Sequence, residues 1–359
     1  MVAHWSSQPA ADPLDVDVVV VGAGQAGLGV GFWLARSDLS FVILDAAAHL
    51  GASWGQRWDS LTLFTPRRFS SLPGLRFPSG PGRYPTKSEV AGYLRRYAAR
   101  FDLPVQLDRR VERVARAGEG FDVETAEERI RTRHVVVATG PFRGPYVPPA
   151  AAGLSPQIRQ LHSASYRTPA DVDRADVLVV GGGNSAAQLA TELAGTRRVT
   201  VASPGPLWFL PQRIIGVDLY WWLSLTGVLN APAEGRVSRY VRSRGDAIIG
   251  RDLADLVACG RVRHVPHRVV GAQNDAFELE DGTRVTASAV LWCTGFRPDY
   301  SWLRIPGALS HDGVPVHSAG ASPVPGLHWM GLPWQTRLNS SIIDGVDRDA
   351  RATVARMSS

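Results

Sequence analysis

The sequence predicts an α/β fold of two Rossmann-like domains, the second inserted in the first and each carrying a small antiparallel meander. Two glycine-rich runs, at residues 22–27 and 181–186, each follow a β-branched run and precede a helix-compatible stretch. The chain also repeats itself around these two runs. A glycine turn between strand and helix is typical of dinucleotide-binding domains, so two turns predict two dinucleotides and electron transfer between them. A glycine-rich turn in an ordinary α/β domain is the alternative for each run taken alone.

The repeat predicts the elements in order. After its glycine turn, each half runs through a helix and a strand into a short meander, and then into a strand that ends in Thr-Gly. The predicted ranges of the first half are 27–36, 40–44, 111–114, 121–124 and 134–138, closing with Thr139 and Gly140. Those of the second half are 185–193, 199–202, 269–270, 277–280, 284–285 and 289–293, closing with Thr294 and Gly295.

The final segment lacks a glycine turn of its own, and we expect it to return to the first domain. It is predicted to hold a strand at 327–330 and a helix at 340–357. Proline-rich stretches at 141–149 and 297–306 suit the two crossings between domains. The predicted boundaries are 14–145 with 297–359 for the first domain, 146–296 for the second, and a disordered tail at 1–13.

Composition is that of an ordinary globular enzyme, with 359 residues, 45% hydrophobic and 20% charged. Two widely spaced cysteines, Cys259 and Cys293, exclude a disulfide scaffold and a C-x-x-C redox motif, which favours the cytoplasm. We expect no signal peptide, membrane span or metal site. The net charge of +6 suits anionic ligands such as dinucleotide phosphates. Dispersed arginines disfavour nucleic-acid binding, and a merely arginine-rich surface remains the alternative.

The residue that follows the second strand differs between the two halves. Asp45 occupies this place in the first half, where a carboxylate accepts hydrogen bonds from ribose hydroxyls. Ser203 occupies it in the second half, and the missing carboxylate would tolerate a ribose 2′-phosphate, which favours NADPH over NADH. Three arginines are candidate partners of that phosphate: Arg197, Arg198 and Arg213.

A long stretch at 51–85 shows little regular periodicity, and loops of this length are usually functional. Its tryptophans and polar residues suit the lining of an apolar ring system. A packed loop in which Arg57 and Asp59 form a structural ion pair is an equal alternative. The next helix is predicted to start at Thr86 with a capping box, because Glu89 stands three residues on. Its apolar residues are predicted core: Val90, Tyr93, Leu94 and Tyr97.

Seven blocks together resemble the class B flavoprotein monooxygenases, and in particular a compact bacterial branch labelled as flavoproteins involved in potassium transport. The blocks are 18–28, 51–66, 135–140, 179–190, 218–223, 291–299 and 331–350. The resemblance implies FAD in the first domain and NADPH in the second. The implied FAD residues are Gly22, Gly24, Gln25, Gly27, Asp45, Ser53, Trp54, Arg57, Val111, Thr139, Gly140 and Gly331. The implied NADPH residues are Gly181, Gly183, Asn184, Ser185, Ala186, Thr294 and Gly295.

The sequence departs from this family at two places. The family motif F-x-G-x-x-x-H-x-x-x-[FYW] is half present, since His162 and Tyr166 match while Pro156 and Ile158 replace Phe and Gly. An asparagine that many members place near the flavin is replaced around Phe64 or Thr65. Asp59 and Thr65 are therefore the candidate catalytic polar groups.

The resemblance implies a monooxygenase in which a C4a-(hydro)peroxyflavin transfers one oxygen atom to a small, largely apolar substrate. The reaction would be N- or S-oxygenation or a Baeyer–Villiger insertion, with molecular oxygen as co-substrate. The aromatic segment 207–229 is a candidate substrate wall or, equally, an interface, and a homodimer is the default assembly. A reductase or oxidase that passes electrons to a quinone, another acceptor or oxygen is the second hypothesis, and a non-catalytic nucleotide sensor is the third.

Overall fold

The computed structural model describes residues 14–358, so the predicted tail at 1–13 lies outside the described residues. The α-helices are α1 Gln25–Leu34, α2 Ala52–Gly55, α3 Lys87–Arg100, α4 Asn184–Ala194, α5 Leu219–Leu225, α6 Arg236–Arg244, α7 Asp252–Ala258 and α8 Val346–Met357. Short 3₁₀ turns span Arg67–Phe69, Pro149–Gly153, Pro169–Asp171, Val228–Asn230 and Ile343–Gly345. Within the described part of the chain, no helix is long and apolar enough to cross a bilayer.

The strands are short and numerous. In chain order they are β1 Leu14–Val21, β2 Phe41–Leu44, β3 Val105–Gln106, β4 Arg113–Ala117, β5 Gly120–Glu124, β6 Arg129–Val137, β7 Gly144–Pro145, β8 Arg159–His162, β9 Asp176–Val180, β10 Arg198–Ala202, β11 Phe209–Leu210, β12 Arg213–Ile214, β13 Val217–Asp218, β14 Ile248–Ile249, β15 Val262–Val265, β16 Val269–Gln273, β17 Ala276–Leu279, β18 Arg284–Thr286, β19 Ala289–Trp292, β20 Phe296–Arg297, β21 Leu303–Arg304 and β22 Leu327–Trp329.

Two sheets organise the molecule. The larger has the order β21-β4-β5-β6-β1-β2-β3, with β22 also paired to β6. The smaller is parallel throughout, with the order β15-β10-β9-β19-β8. Because β21 and β22 follow the smaller sheet in the chain yet join the larger one, the second unit is an insertion in the first. This confirms the predicted fold class, while the exact domain boundaries stay a prediction.

The larger sheet is covered on both faces, as the side chains of its strand β1 show. Val18 and Val20 pack with α1, α3 and α8 in one core, whereas Val19 and Val21 pack with the meander in another. Side chains of a strand alternate between faces, so a continuous valine run buries both. The predicted helix-face residues of α3 are all fully buried, and Thr86 and Glu89 form the predicted capping box.

The two meanders are built differently. In the first half, β4, β5 and β6 form one antiparallel run, and the nine residues of β6 continue into a parallel pairing with β1. In the second half, β16, β17 and β18 form a separate three-stranded sheet. The next strand, β19, belongs to the parallel sheet. In the second half, the place of the single strand β6 is thus taken by two strands, β18 in the meander and β19 in the parallel sheet.

The connections between the halves run side by side, because β7 pairs antiparallel with β20. The predicted final helix begins later than expected. Ser340 lies in a loop, where its hydroxyl accepts hydrogen bonds from the N–H groups of Thr336 and Arg337 at 3.1 and 3.0 Å. The helix proper, α8, begins at Val346. The predicted start at residue 340 is therefore wrong by about two turns, because side-chain bonding holds the preceding residues in a loop.

Candidate functional site

The first glycine turn lies between β1 and α1 and is closed on one side by the end of β6. Gly22 has a φ of +106°, and a Cβ atom there would lie 2.7 Å from the carbonyl oxygen of Ala138. A Cβ at Gly27 would overlap the carbonyl oxygen of Gly22. The turn therefore requires glycine at both positions, and Thr139 and Gly140 lie directly beside it.

The helices that follow the two glycine turns begin without side-chain caps. Gly24 precedes α1 and Gly183 precedes α4, and neither first turn contains an acidic residue. Helix α3, by contrast, is capped by Thr86 and Glu89. The uncapped N–H groups and the positive end of the helix dipole together favour a phosphate at α1 and α4.

Asp45 holds the first glycine turn. Its Oδ2 accepts a hydrogen bond from the N–H of Ala23 at 2.6 Å, and Oδ1 accepts one from Ala47 at 2.8 Å. A carboxylate has further lone pairs, so it can hold the turn and still accept from a ribose hydroxyl. Val111 is buried in the core of the larger sheet, near this end, since the Arg109 N–H donates to the Asp45 carbonyl at 2.8 Å.

The second glycine turn is held by a residue at the start of the following helix, whereas the first is held by Asp45 after the second strand. The Asn184 side chain donates to the Ala247 carbonyl and accepts from the Ile249 N–H, both at 2.9 Å. A Cβ at Gly181, whose φ is +146°, would overlap the carbonyl oxygen of Cys293. Ser185 continues the first turn of α4, and Ala186, at the third small position, is buried against the core. The predicted second turn is thus formed.

Ser203 lies beside this second turn, 3.3 Å from where a Cβ of Gly182 would stand. Its buried hydroxyl donates to the Gly205 carbonyl at 2.6 Å and accepts from Nε2 of His264 at 2.8 Å. Burial lowers the pKa of His264. Sequence reasoning missed His264, because only the pairing of β10 with β15 brings it to Ser203.

Two of the three predicted phosphate partners are wrong. Arg198 pairs with Asp176 at the amino ends of β10 and β9, whereas ligands of such sheets bind at the carboxyl ends. Arg197 donates to the Val172 carbonyl at 3.0 Å at that same amino edge. Arg213 lies in the β12–β13 hairpin and donates to the Gly216 carbonyl.

The stretch after Gly51 lies between the two halves. Ser53 and Trp54 are in α2, and the Trp54 side chain packs against the hydrophobic cores of both halves. Arg57 places its guanidinium carbon 4.4 Å from the ring centroid of Phe142 and 5.0 Å from that of Phe296. Burial, with a contribution from Arg167, lowers the pKa of Arg57. Cation–π contacts thus hold Arg57 against Phe142 and Phe296, which flank the two crossings between the halves.

The alternative in which Arg57 and Asp59 form an ion pair is wrong, because Asp59 pairs with Lys87 at 2.7 Å. The Lys87 side chain is only 11% exposed, while that of Asp59 is 64% exposed. The Lys87 ammonium also donates to the Arg57 carbonyl at 2.6 Å. Sequence reasoning missed Lys87 as a site residue. It lies between Thr86 and Glu89 of the capping box, and that pattern indicates only the start of a helix.

Thr65, the second candidate catalytic residue, is buried, and its hydroxyl lies 3.1 Å from that of Ser70. The structure therefore does not join it to Asp59 in one hydrogen-bonded group. Gly331 packs against the first glycine turn, since a Cβ there would lie 2.8 Å from that of Ala26. Gln25 donates to the Ser341 carbonyl at 3.0 Å, so the loop that carries Gly331 borders α1.

The second Thr-Gly pair is bonded to the crossing between the halves. Thr294 donates from its hydroxyl to the Tyr146 carbonyl. Nδ1 of His162 accepts from the Ala164 N–H, so Nε2 carries the proton and donates to the Gly295 carbonyl, each at 3.0 Å. Burial lowers the pKa of His162, in keeping with a neutral ring. The half-present family motif thus places a structural histidine at the domain crossing.

The model of the pyridine nucleotide-disulphide oxidoreductase family matches residues 19–217. A CzcO-like oxidoreductase of Geobacillus kaustophilus is 41% identical over 335 residues, covering 93% of this chain and 96% of the relative. YUCCA9 of Arabidopsis thaliana, a probable indole-3-pyruvate monooxygenase, is 28% identical and covers 87% of this chain and 81% of its own.

Among solved structures, a flavin-containing monooxygenase from Stenotrophomonas maltophilia matches with a TM-score of 0.81 and 34% identity, over 96% of this chain and 98% of that one. These matches confirm the predicted resemblance, the oxidoreductase class, and a flavin and a pyridine nucleotide as cofactors. The chain belongs to the pyridine nucleotide-disulphide oxidoreductase family and, within it, to the flavin-containing-monooxygenase-like oxidoreductases.

Proposed function

We propose that the protein is an NADPH- and FAD-dependent monooxygenase that transfers one oxygen atom to a small, largely apolar organic substrate. The observation that carries the proposal is the pair of glycine turns on the two sheets, each followed by an uncapped helix. Similarity to a flavin-containing monooxygenase over nearly the whole chain supports the reaction type. A flavin reduced by NADPH supplies the oxygen chemistry, and the chain supplies binding, orientation and exclusion of water.

The first turn fits the ADP part of FAD. A Cβ at Gly24 would meet no described atom within 4 Å, so the backbone before α1 is open to a pyrophosphate, and α1 directs free N–H groups there. Asp45 would accept from the adenosine ribose while it keeps its bond to the Ala23 N–H. We propose the flavin side of the site from the surrounding residues: Ser53, Trp54, Arg57, Thr139, Gly140 and Gly331.

The second turn fits NADPH by the same physical argument. A Cβ at Gly183 would meet no described atom within 4 Å, which leaves room for the pyrophosphate, and α4 begins without a cap or an acidic first turn. A carboxylate at the end of β10 would repel a 2′-phosphate, whereas Ser203 brings no negative charge there. This difference supports a preference for NADPH over NADH.

The reacting end would lie where residues 54–59 join the two halves. Trp54 packs against the cores of both halves at this junction, and Trp58 is buried in the core of the second half. We propose that Asp59 and Thr65 act mainly by holding this loop, Asp59 through Lys87 and Thr65 through Ser70. A firmly held, apolar junction would exclude water that otherwise promotes loss of hydrogen peroxide.

The test is stopped-flow absorbance of the purified yellow protein, reduced with NADPH and then mixed with oxygen. We expect a transient absorbing species, distinct from both reduced and oxidised flavin, that decays faster when an oxygen-accepting amine, sulfide or ketone is present. Direct return to oxidised flavin with stoichiometric peroxide, unchanged by all these compounds, would refute the proposal and favour the reductase or oxidase.

A dithiol reductase, which the name of the matched family suggests, is disfavoured by the cysteines. Cys259 is exposed and Cys293 is partly buried, and both are free thiols. Burial raises the pKa of Cys293 to about 12, so the thiolate needed for exchange is scarce near neutral pH. If a reductase activity is found, we expect a quinone or oxygen rather than a disulfide as its acceptor.

A further inference from the structure

An exposed apolar patch stands apart from both glycine turns. It consists of the β12–β13 hairpin and the outer side of α5, and we call it the hairpin–helix patch. Its side chains are exposed hydrophobic residues: Ile214, Ile215, Val217, Trp221 and Leu225. The two elements form one unit, because the Trp222 ring N–H donates to the Ile214 carbonyl at 3.3 Å. Trp221 and Leu225 are four residues apart on α5 and therefore share a face.

The tip of the hairpin is unfavourable for the free protein in two independent ways. Ile215 is 91% exposed to solvent. It also has a φ of +50°, a conformation that a β-branched residue rarely adopts and that Asn or Gly would adopt with less strain. A turn selected only for folding would carry a small polar residue here. The combination of exposure and strain indicates that an apolar tip serves a contact outside the chain.

Charge around the patch indicates the nature of that contact. The Arg68 guanidinium carbon lies 4.9 Å from the Trp221 ring centroid, and Arg213 stands at the base of the hairpin. Both arginines are exposed, and the acid of this segment, Asp218, is buried and accepts from the Tyr84 hydroxyl. Apolar tips bordered by two arginines, with a half-exposed tryptophan, match the interface of an anionic bilayer.

A second copy of the chain fits this surface less well. Five partly exposed side chains present less than the roughly 800 Å² per partner that a standard interface buries. A two-fold contact centred on the patch would also bring Arg68 and Arg213 of one copy towards the same arginines of the other. We propose that the hairpin–helix patch docks the protein on an anionic phospholipid surface, with Ile214 and Ile215 inserted among the acyl chains near the headgroups.

Docking would bring the enzyme to apolar compounds dissolved in the bilayer, and this consequence rests on the proposed monooxygenase function. The docking itself does not depend on turnover. Its test is flotation of the FAD-loaded protein with vesicles of phosphatidylcholine alone or mixed with phosphatidylglycerol, without NADPH or substrate. Failure of docking and failure of the oxygenase assay are therefore separate results.

We expect binding to the mixed vesicles, and about tenfold less to phosphatidylcholine alone, because two or more arginines lose their anionic partners. The double variant Ile214→Asn/Ile215→Asn should lose at least about tenfold in binding to mixed vesicles, since two apolar side chains no longer insert. The matched control is Val314→Asn, which removes an exposed apolar side chain from another turn and should bind as the wild type does.

Asparagine suits the conformation of residue 215, so the double variant should keep its FAD and its thermal midpoint. A protein that binds neither kind of vesicle overturns the proposal. Undiminished binding by the double variant also overturns it, because charge alone would then explain the attraction. A wild-type dimer that the double variant converts to monomer, seen by light scattering, overturns it in favour of a second copy.

Discussion

The two glycine turns occupy the same place between strand and helix in their halves but are held in place differently. In the first, a carboxylate at the end of the second strand reaches back, and Asp45 accepts from the Ala23 N–H at 2.6 Å. In the second, Asn184 fastens the turn to residues 247–249, and Ser203 bonds to Gly205 and His264. The first turn thus carries a carboxylate at the end of its second strand, whereas the second turn carries none there. This difference is the basis of our proposal that the two turns bind different dinucleotides.

The largest expected effect is that a substitution in each glycine turn impairs a different cofactor. Gly22→Ala should abolish FAD retention, because the new Cβ would meet the Ala138 carbonyl in a strained conformation. Gly181→Ala should stay yellow but lose reduction by NADPH. The flavin-to-protein absorbance ratio and the NADPH reduction rate measure these outcomes. Gly118→Ala is the control, since its φ is +59° but a Cβ there meets nothing within 4 Å. Full FAD content in Gly22→Ala would refute the assignment.

Ser203→Asp should make the second site resemble the first. A carboxylate there would repel the 2′-phosphate, and we expect the preference for NADPH over NADH to fall at least about tenfold, or about 1.4 kcal/mol. The ratio of kcat/KM for the two cofactors measures it. Ser203→Ala, which removes the hydroxyl without adding charge, should change the ratio far less. An unchanged ratio in Ser203→Asp would mean that another residue selects the cofactor.

A buried histidine gives the larger sheet a sensitivity to acid. Among the described residues, neither ring nitrogen of His328 has a hydrogen-bond partner, and burial lowers its pKa to about 4. Its folded pKa lies below the unfolded value, so stability should fall as pH decreases from about 6.5 to about 4, by about 2–3 kcal/mol. Urea unfolding at several pH values measures this loss. His328→Phe should reduce the dependence in that window by about this amount, while other buried histidines such as His162 and His264 keep their contributions. An unchanged pH profile would contradict the assignment.

The smallest effect concerns the loop between the halves. Asp59→Asn should cost about 0–1 kcal/mol, because the carboxylate is largely exposed. Lys87→Met should cost more, about 1–3 kcal/mol, since the buried ammonium also holds the Arg57 carbonyl. Thermal midpoints and turnover are measured together. A large drop in turnover with unchanged stability in Asp59→Asn would instead assign that carboxylate a direct part in the chemistry.

Sequence patterns predicted the repeated core of the fold closely. Residues 18–21 and 177–180 are valine-rich runs followed by glycine turns, and both form central parallel strands. Hydrophobic periodicity of this kind is local, so it survives in the folded structure. The start of α8 was predicted less well, because the loop at 336–341 is held by side-chain bonds that periodicity does not register.

Within the candidate site, the sequence alone determined the two glycine turns, the contrast between Asp45 and Ser203, and the return of the last segment to the first sheet. Only the tertiary structure decided that Lys87 is the partner of Asp59, that His264 meets Ser203, and that Arg197 and Arg198 lie at the wrong edge. The physical reason is the distance along the chain over which each feature is specified. A turn or a strand is specified by neighbouring residues, whereas an ion pair between distant residues depends on how whole elements pack.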